Sequence, residues 1–113
     1  MNKPKITQDP LYQLLRDGNV KEFNARRAKG EKCDLTNVDL RGLDLRGINV
    51  DGLDMSGSYM RMTDLRGTDF RNTRLEGASL ASANVSGCYF PLELRAEEIT
   101  LSVTHGTRLR YGA

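Results

Sequence analysis

Every fifth residue from position 35 to position 90 is apolar: Leu35, Leu40, Leu45, Val50, Met55, Met60, Leu65, Phe70, Leu75, Leu80, Val85 and Phe90. An α-helix repeats every 3.6 residues and a strand every 2, so neither keeps such a series on one face. A corner at each repeat does. Two residues before each centre stand Cys33, Val38, Leu43, Ile48, Leu53, Ser58, Thr63, Thr68, Thr73, Ala78, Ala83 and Cys88, none of them charged. The residue just before the centre is mostly Asp or Asn, and glycine recurs two residues after it, as in Asp39-Leu40-Arg41-Gly42. Glycine accepts positive φ and Asp or Asn bonds to nearby backbone, so each repeat predicts a turn. Four short sides then close a square, and the chain returns above its start after twenty residues. Stacking at that interval predicts four inner columns: Leu35/Met55/Leu75, Leu40/Met60/Leu80, Leu45/Leu65/Val85 and Val50/Phe70/Phe90. Three coils at the usual spacing between strands give a stub on the order of 15 Å tall.

Segments such as Val38-Asp39-Leu40-Arg41-Gly42 and Thr63-Asp64-Leu65-Arg66-Gly67 resemble the pentapeptide-repeat family, whose consensus is A(D/N)LXX. The resemblance covers about half the chain and points to a short bacterial member with a helical N-terminal cap. It implies a mainly β fold, a right-handed quadrilateral β-helix of about three coils. The repeat departs from consensus at Ser58-Tyr59-Met60-Arg61-Met62 and at Thr73-Arg74-Leu75-Glu76-Gly77, which changes the outer surface and leaves the inner ladder intact.

Open ends of a solenoid expose apolar side chains and unpaired edges, so caps are expected. Asp9-Pro10 followed by Leu11, Leu14 and Leu15 predicts one short helix, and Asn19 with Glu22, Val20 and Phe23 predicts a second that stops at Gly30. After the repeats, Glu97 and Glu98 ahead of Ile99 and Val103, with Gly106 as the stop, predict a helix. The alternation of Ile99, Leu101 and Val103 also suits a hairpin turning at His105-Gly106; the helix is the preferred reading. The expected divisions are a helical cap over 1–32, the solenoid over 33–92, and a C-terminal cap and tail over 93–113, all in one cooperative domain.

Composition narrows the function classes. With 113 residues, 38% hydrophobic and 28% charged, the chain has room for one core and none for a catalytic partner domain. It has neither an apolar run of membrane-spanning length nor a secretory-type leader, so a cytoplasmic protein without membrane contact is expected. Cys33 and Cys88 lack CxxC spacing and read as reduced, buried thiols. His105 is the one histidine, no acid, base and nucleophile converge, and no catalytic, cofactor or metal site is expected. The aspartates recur at five residues and not at the nine of a calcium-binding roll.

Charge is uneven: +4 over residues 1–32, −2 over 33–92 and 0 over 93–113. Twenty-residue stacking sets Arg41 with Arg61 and Arg46 with Arg66, and it turns Tyr59 and Met62 outward beside them. These six residues are the candidate interaction surface. The expected function is a non-enzymatic scaffold that binds an unidentified protein partner or itself, the latter as a homodimer through the C-terminal end around residues 99–103. The alternative is a nucleic-acid or DNA-gyrase-associated protein. Relatives that protect gyrase resemble a long acidic rod, and this chain has neither that length nor that charge, so nucleic acid is not the expected partner.

Overall fold

A computed structural model describes residues 3–112, so Met1, Asn2 and Ala113, at the outer limits of the expected caps, lie outside the described residues. Helix α1 spans Pro10–Arg16, α2 Val20–Ala28 and α3 Ala96–His105. Asp9 caps α1 by accepting the N–H groups of Leu11 and Tyr12, Pro10 opens the helix, and Asn19 caps α2 by accepting the N–H of Glu22. The segment 96–105 is the helix and not the hairpin; it carries Glu97 and Glu98 in its first turn and ends at Gly106 in the left-handed region.

The expected mainly β class is corrected by the repeats themselves. Among the described residues there is no strand and no sheet, only isolated bridges between single residues, and the only regular elements are the three short helices. The reason is the period. A strand needs consecutive paired residues, but each repeat supplies one bridge residue and then turns, so pairing never runs on.

The bridges are nonetheless ordered. Asp39 pairs in parallel with Tyr59, Asp44 with Asp64, Asp54 with Arg74, Tyr59 with Ser79, Asp64 with Asn84 and Asp69 with Tyr89, each pair twenty residues apart. Main-chain bonds run the same way, as from Leu65 N to Asn84 O (2.9 Å) and from Asn84 N to Thr63 O (3.0 Å). The carboxylate before each centre fixes the turn: Asp44 Oδ1 accepts from Arg46 N, Asp54 Oδ1 from Ser56 N and Asp69 Oδ1 from Arg71 N. At Gly57 φ is +69°, a left-handed conformation that favours glycine, and an added Cβ would also displace the Asn37 amide.

Ten of the twelve central residues are buried; Val85 and Phe90, late in the last pass, are half-buried. Phe70 and Phe90 stack with ring centroids 5.7 Å apart. The second inward series changes character along the chain, from Val38 and Ile48 through Ser58, Thr63, Thr68 and Thr73 to Ala78 and Ala83, all buried. Thr63 donates to Leu40 O (2.6 Å) and Thr73 to Val50 O (2.8 Å), each reaching 23 residues back, whereas the buried Ser58 Oγ and Thr68 Oγ1 find no partner among the described residues.

The N-terminal edge is closed by substitutes for a missing pass. Lys5 pairs with Val38 through Lys5 N to Asn37 O and Asp39 N to Lys5 O, the buried Tyr12 hydroxyl donates to Asp39 O (2.7 Å), and Asp9 Oδ2 accepts from Asp34 N. The amide of Asn24 acts as a peptide group: it donates to Gly47 O and accepts from Asn49 N, both at 2.9 Å. Beside it, the Arg27 guanidinium donates to Asn49 O and Asp51 O. At the other end, Leu75 N donates to the Tyr111 hydroxyl, Gly77 N to Leu109 O, Leu80 N to Ser102 Oγ and Ser82 N to Val103 O. Beyond Ser82, the edge N–H groups of Val85, Gly87 and Phe90 have no partner among the described residues.

Leu65 is fully buried and packed from both sides, so Leu65→Ala should cost about 2–5 kcal/mol, while Arg66→Ala, on the surface, should stay within about 0.5 kcal/mol. Equal losses in denaturant melts would show inside and outside to be exchanged. Asn24→Ala should cost about 1–2 kcal/mol, since two edge groups lose their protein partner. Asn24→Asp, which can still accept from Asn49 N but cannot donate to Gly47 O, should not restore stability; a melt equal to the parent for both variants would contradict the peptide-like role.

Candidate interaction surface

The six candidate residues do not form one basic patch. Each of three arginines folds back onto the aspartate two residues before it: Arg41 Nη2 lies 2.9 Å from Asp39 Oδ2, Arg46 Nη2 2.7 Å from Asp44 Oδ2 and Arg66 Nη2 2.7 Å from Asp64 Oδ2. Arg46 also reaches Asp64 at 3.6 Å, linking two passes. The repeat explains this, because the aspartate that fixes the turn already accepts the arginine main-chain N–H and the side chain closes the same loop. Positive charge is thus neutralised where it stands. Arg61 forms no ion pair among the described residues.

Tyr59 and Met62 are separated by environment. Arg108, from the tail, lies 4.9 Å from the Tyr59 ring centroid and its Nη2 donates to the Tyr59 hydroxyl at 2.5 Å, so the ring is half-covered. Met62 is 66% exposed and holds φ at +58°, in the corner position that Gly42 occupies one pass earlier and Ser82 one pass later. Sequence reasoning expects a C-terminal tail but does not place Arg108 on Tyr59, because no local pattern marks which face Arg108 meets. It also passed over the exposed Leu92 and Tyr89, which sit in or beside the last repeat and read there as ordinary repeat positions.

Two arginines of the basic N-terminal cap are likewise engaged. Arg26 is forked onto Glu31 through Nε and Nη2, both at 2.6 Å, and Arg27 is spent on main-chain carbonyls. Two shallow depressions lie nearby. One, of about 320 Å³, is lined by Arg27, Glu31, Cys33 and Leu53; the other, of about 410 Å³, by Ile48, Asn49, Asp51 and Asp69. Burial pushes the Cys33 thiol up to about 11, and it also raises that of Cys88, whose Sγ donates to Leu65 O. Both sulfurs are therefore poor nucleophiles at neutral pH. Among the described residues, no group of His, Cys, Asp or Glu side chains is placed to hold a metal ion, and no helix is long and apolar enough to cross a membrane.

Hydrogen bonds from Arg46 and Arg71 hold the carboxyls of Asp44 and Asp69 at about 2. An unperturbed aspartate titrates near 3.9, so the stability these pairs contribute is fully present above that value and is lost as pH falls through the folded one. Urea midpoints should stay level at neutral pH and fall between about pH 4 and 2. Asp44→Asn with Asp69→Asn should flatten that limb; an unchanged acid limb in the double variant would remove these carboxyls as its cause.

A family model for pentapeptide repeats matches eight copies over residues 33–72 and 63–91, which together span just over half the chain. The chain matches none of the curated proteins and none of the solved structures. The matched residues are those that carry the central apolar series, the turn-fixing aspartates and the twenty-residue bridges, and on that agreement the chain belongs to the pentapeptide-repeat family.

Proposed function

We propose that the chain is a non-enzymatic scaffold whose outward corner at Met62, with Arg61 beside it, binds a protein partner. The observation that carries this reading is Met62 itself. A left-handed conformation costs a residue with a Cβ roughly 1–2 kcal/mol, and this corner nevertheless holds a long apolar side chain in solvent. Backbone strain of this kind clusters at ligand clamps and other functional sites. The neighbouring chemistry supports a protein surface over nucleic acid, because Arg41, Arg46 and Arg66 already share charge with aspartates, Arg26 is paired with Glu31, and Arg27 is bound to the solenoid carbonyls of Asn49 and Asp51. Such a face offers a methyl-thioether for an apolar pocket and one guanidinium for a carboxylate.

Met62→Gly separates folding from binding. It should raise stability by up to about 1 kcal/mol by relieving the backbone, and it should abolish capture of any partner that the parent retains through this face. Pull-downs from lysate with parent, Met62→Gly and Arg61→Ala baits, compared band by band, provide the measurement. Partners retained equally by all three baits, or a parent that retains duplex DNA and nothing else, would overturn the reading.

A further inference from the structure

On one side of the stack the ladder between the first and second passes is missing. Where passes overlap, a central residue donates its N–H to the carbonyl nineteen residues on, as Leu45 does to Asp64 and Met55 to Arg74. The residue before a centre donates to the carbonyl twenty-one back, as Asp64 does to Leu43. Val50 N and Asp69 N stand at these positions and have no partner among the described residues, nor does the corner Gly47 N. Gly52 N, at the next corner, takes Asn72 O, one residue beyond the offset that Gly42 and Gly57 use. The hydroxyls agree. Thr63 and Thr73 each reach a carbonyl 23 residues back, whereas Thr68 Oγ1, which by that rule would reach Leu45 O, is buried without a partner. The ladder is also missing at Leu35 and Asp54, but there the first pass is only beginning.

The upper edge of the same side belongs to α2. Asn24 donates to Gly47 O and accepts from Asn49 N, both at 2.9 Å, while Arg27 donates to Asn49 O (3.0 Å) and Asp51 O (2.9 Å). We propose that α2 and the second pass compete for this side. The cap holds residues 47–51 away from residues 66–69, and release of both Asn24 and Arg27 lets the side close onto the pass below. The cap thereby sets the state of the stack beneath it.

Being held from above does not by itself open a seam. Asp39 is bonded above to Lys5 and still pairs below with Tyr59, but Lys5 lies in a segment outside any helix, which follows the edge down. Helix α2 is seated by the fully buried Phe23 and does not follow. The two states are closely matched in kind. Opening keeps four bonds to the cap, and closing makes three main-chain bonds, at Gly47, Val50 and Asp69, with a fourth from Thr68 to Leu45 O. Val50 and Thr68 are buried, so leaving their polar groups unpaired is costly, and that cost is the drive to close once the cap lets go. A depression lined by Ile48, Asn49, Gly67 and Asp69 lies along the seam and gives the side room to move. Two arrangements of similar bonding, biased by a separate element, are what a switch requires.

Amide hydrogen exchange on the full chain, read residue by residue by NMR, provides the test. Asn24→Ala alone leaves both Arg27 bonds in place and keeps the seam open. In the double variant Asn24→Ala with Arg27→Ala, the amides of Gly47, Val50 and Asp69 should exchange at least about tenfold more slowly than in the parent. The amides of Leu45 and Asp64, bonded to Asp64 O and Leu43 O in both states, serve as the reference. A merely structural loss of the four cap bonds would speed exchange on this side. Protection of Gly47, Val50 and Asp69 that stays level or falls relative to the reference therefore overturns the proposal. If the double variant does not fold, relaxation dispersion on the unaltered chain decides. One shared exchange rate at residues 47–50 and 66–69, absent at Leu45 and Asp64, supports the competition, and flat profiles along the seam overturn it.

Discussion

Main-chain satisfaction along one edge governs this molecule. Each pass leaves N–H and C=O groups pointing up and down the stack, and the partner for each lies about twenty residues away, as Asp64 N finds Leu43 O and Leu45 N finds Asp64 O. Buried or half-buried main-chain groups without partners are expensive, so the passes stack where this ladder can form, and it is open on the side where residues 47–50 face 66–69. The inner apolar series makes the passes stack. The ladder decides their vertical spacing, and it leaves both ends in debt.

The two ends resolve that in different ways. Side chains settle most of the first, beside the Lys5 main chain: a carboxylate, a phenol, an amide and a guanidinium take positions that backbone would have held, from Asp9, Tyr12, Asn24 and Arg27. A helix terminus and an extended strap settle part of the second, using Val103 O, Ser102 Oγ and the main chain of Leu109. Side-chain surrogates act one position at a time, whereas a strap meets several edge groups with one stretch of chain. The contrast gives the structure a direction that its repeats lack.

How much of this was legible in the sequence follows from whether the relevant interaction is periodic. The five-residue series names the inward residues, and Asp9, Asn19 and Gly106 mark the helix boundaries because capping is local chemistry. The strand content was misjudged, since spacing between passes says nothing about how many consecutive residues pair within a side. The basic patch dissolved for a related reason. Arg46 and Asp44 are close in sequence, but their mutual closure depends on a turn geometry that stacking alone does not specify. Tyr59 is covered by Arg108, 49 residues away, and no pattern in either segment points to the other.

A periodic sequence invites confusion with itself. Slipped by one repeat, apolar centres would still face inward and aspartates would still sit at turns, so the hydrophobic pattern tolerates several alignments. The inner hydroxyls do not. Thr63 reaches Leu40 O and Thr73 reaches Val50 O, and their neighbours Ser58 and Thr68 are buried without partners among the described residues, so the middle pass alternates bonded and unbonded positions. Each of these bonds ties a hydroxyl to one particular central carbonyl 23 residues back, so a shift of five would break both bonds and have to remake them on other carbonyls. A few threonines thus mark, within a chain of near-identical units, which pass lies on which.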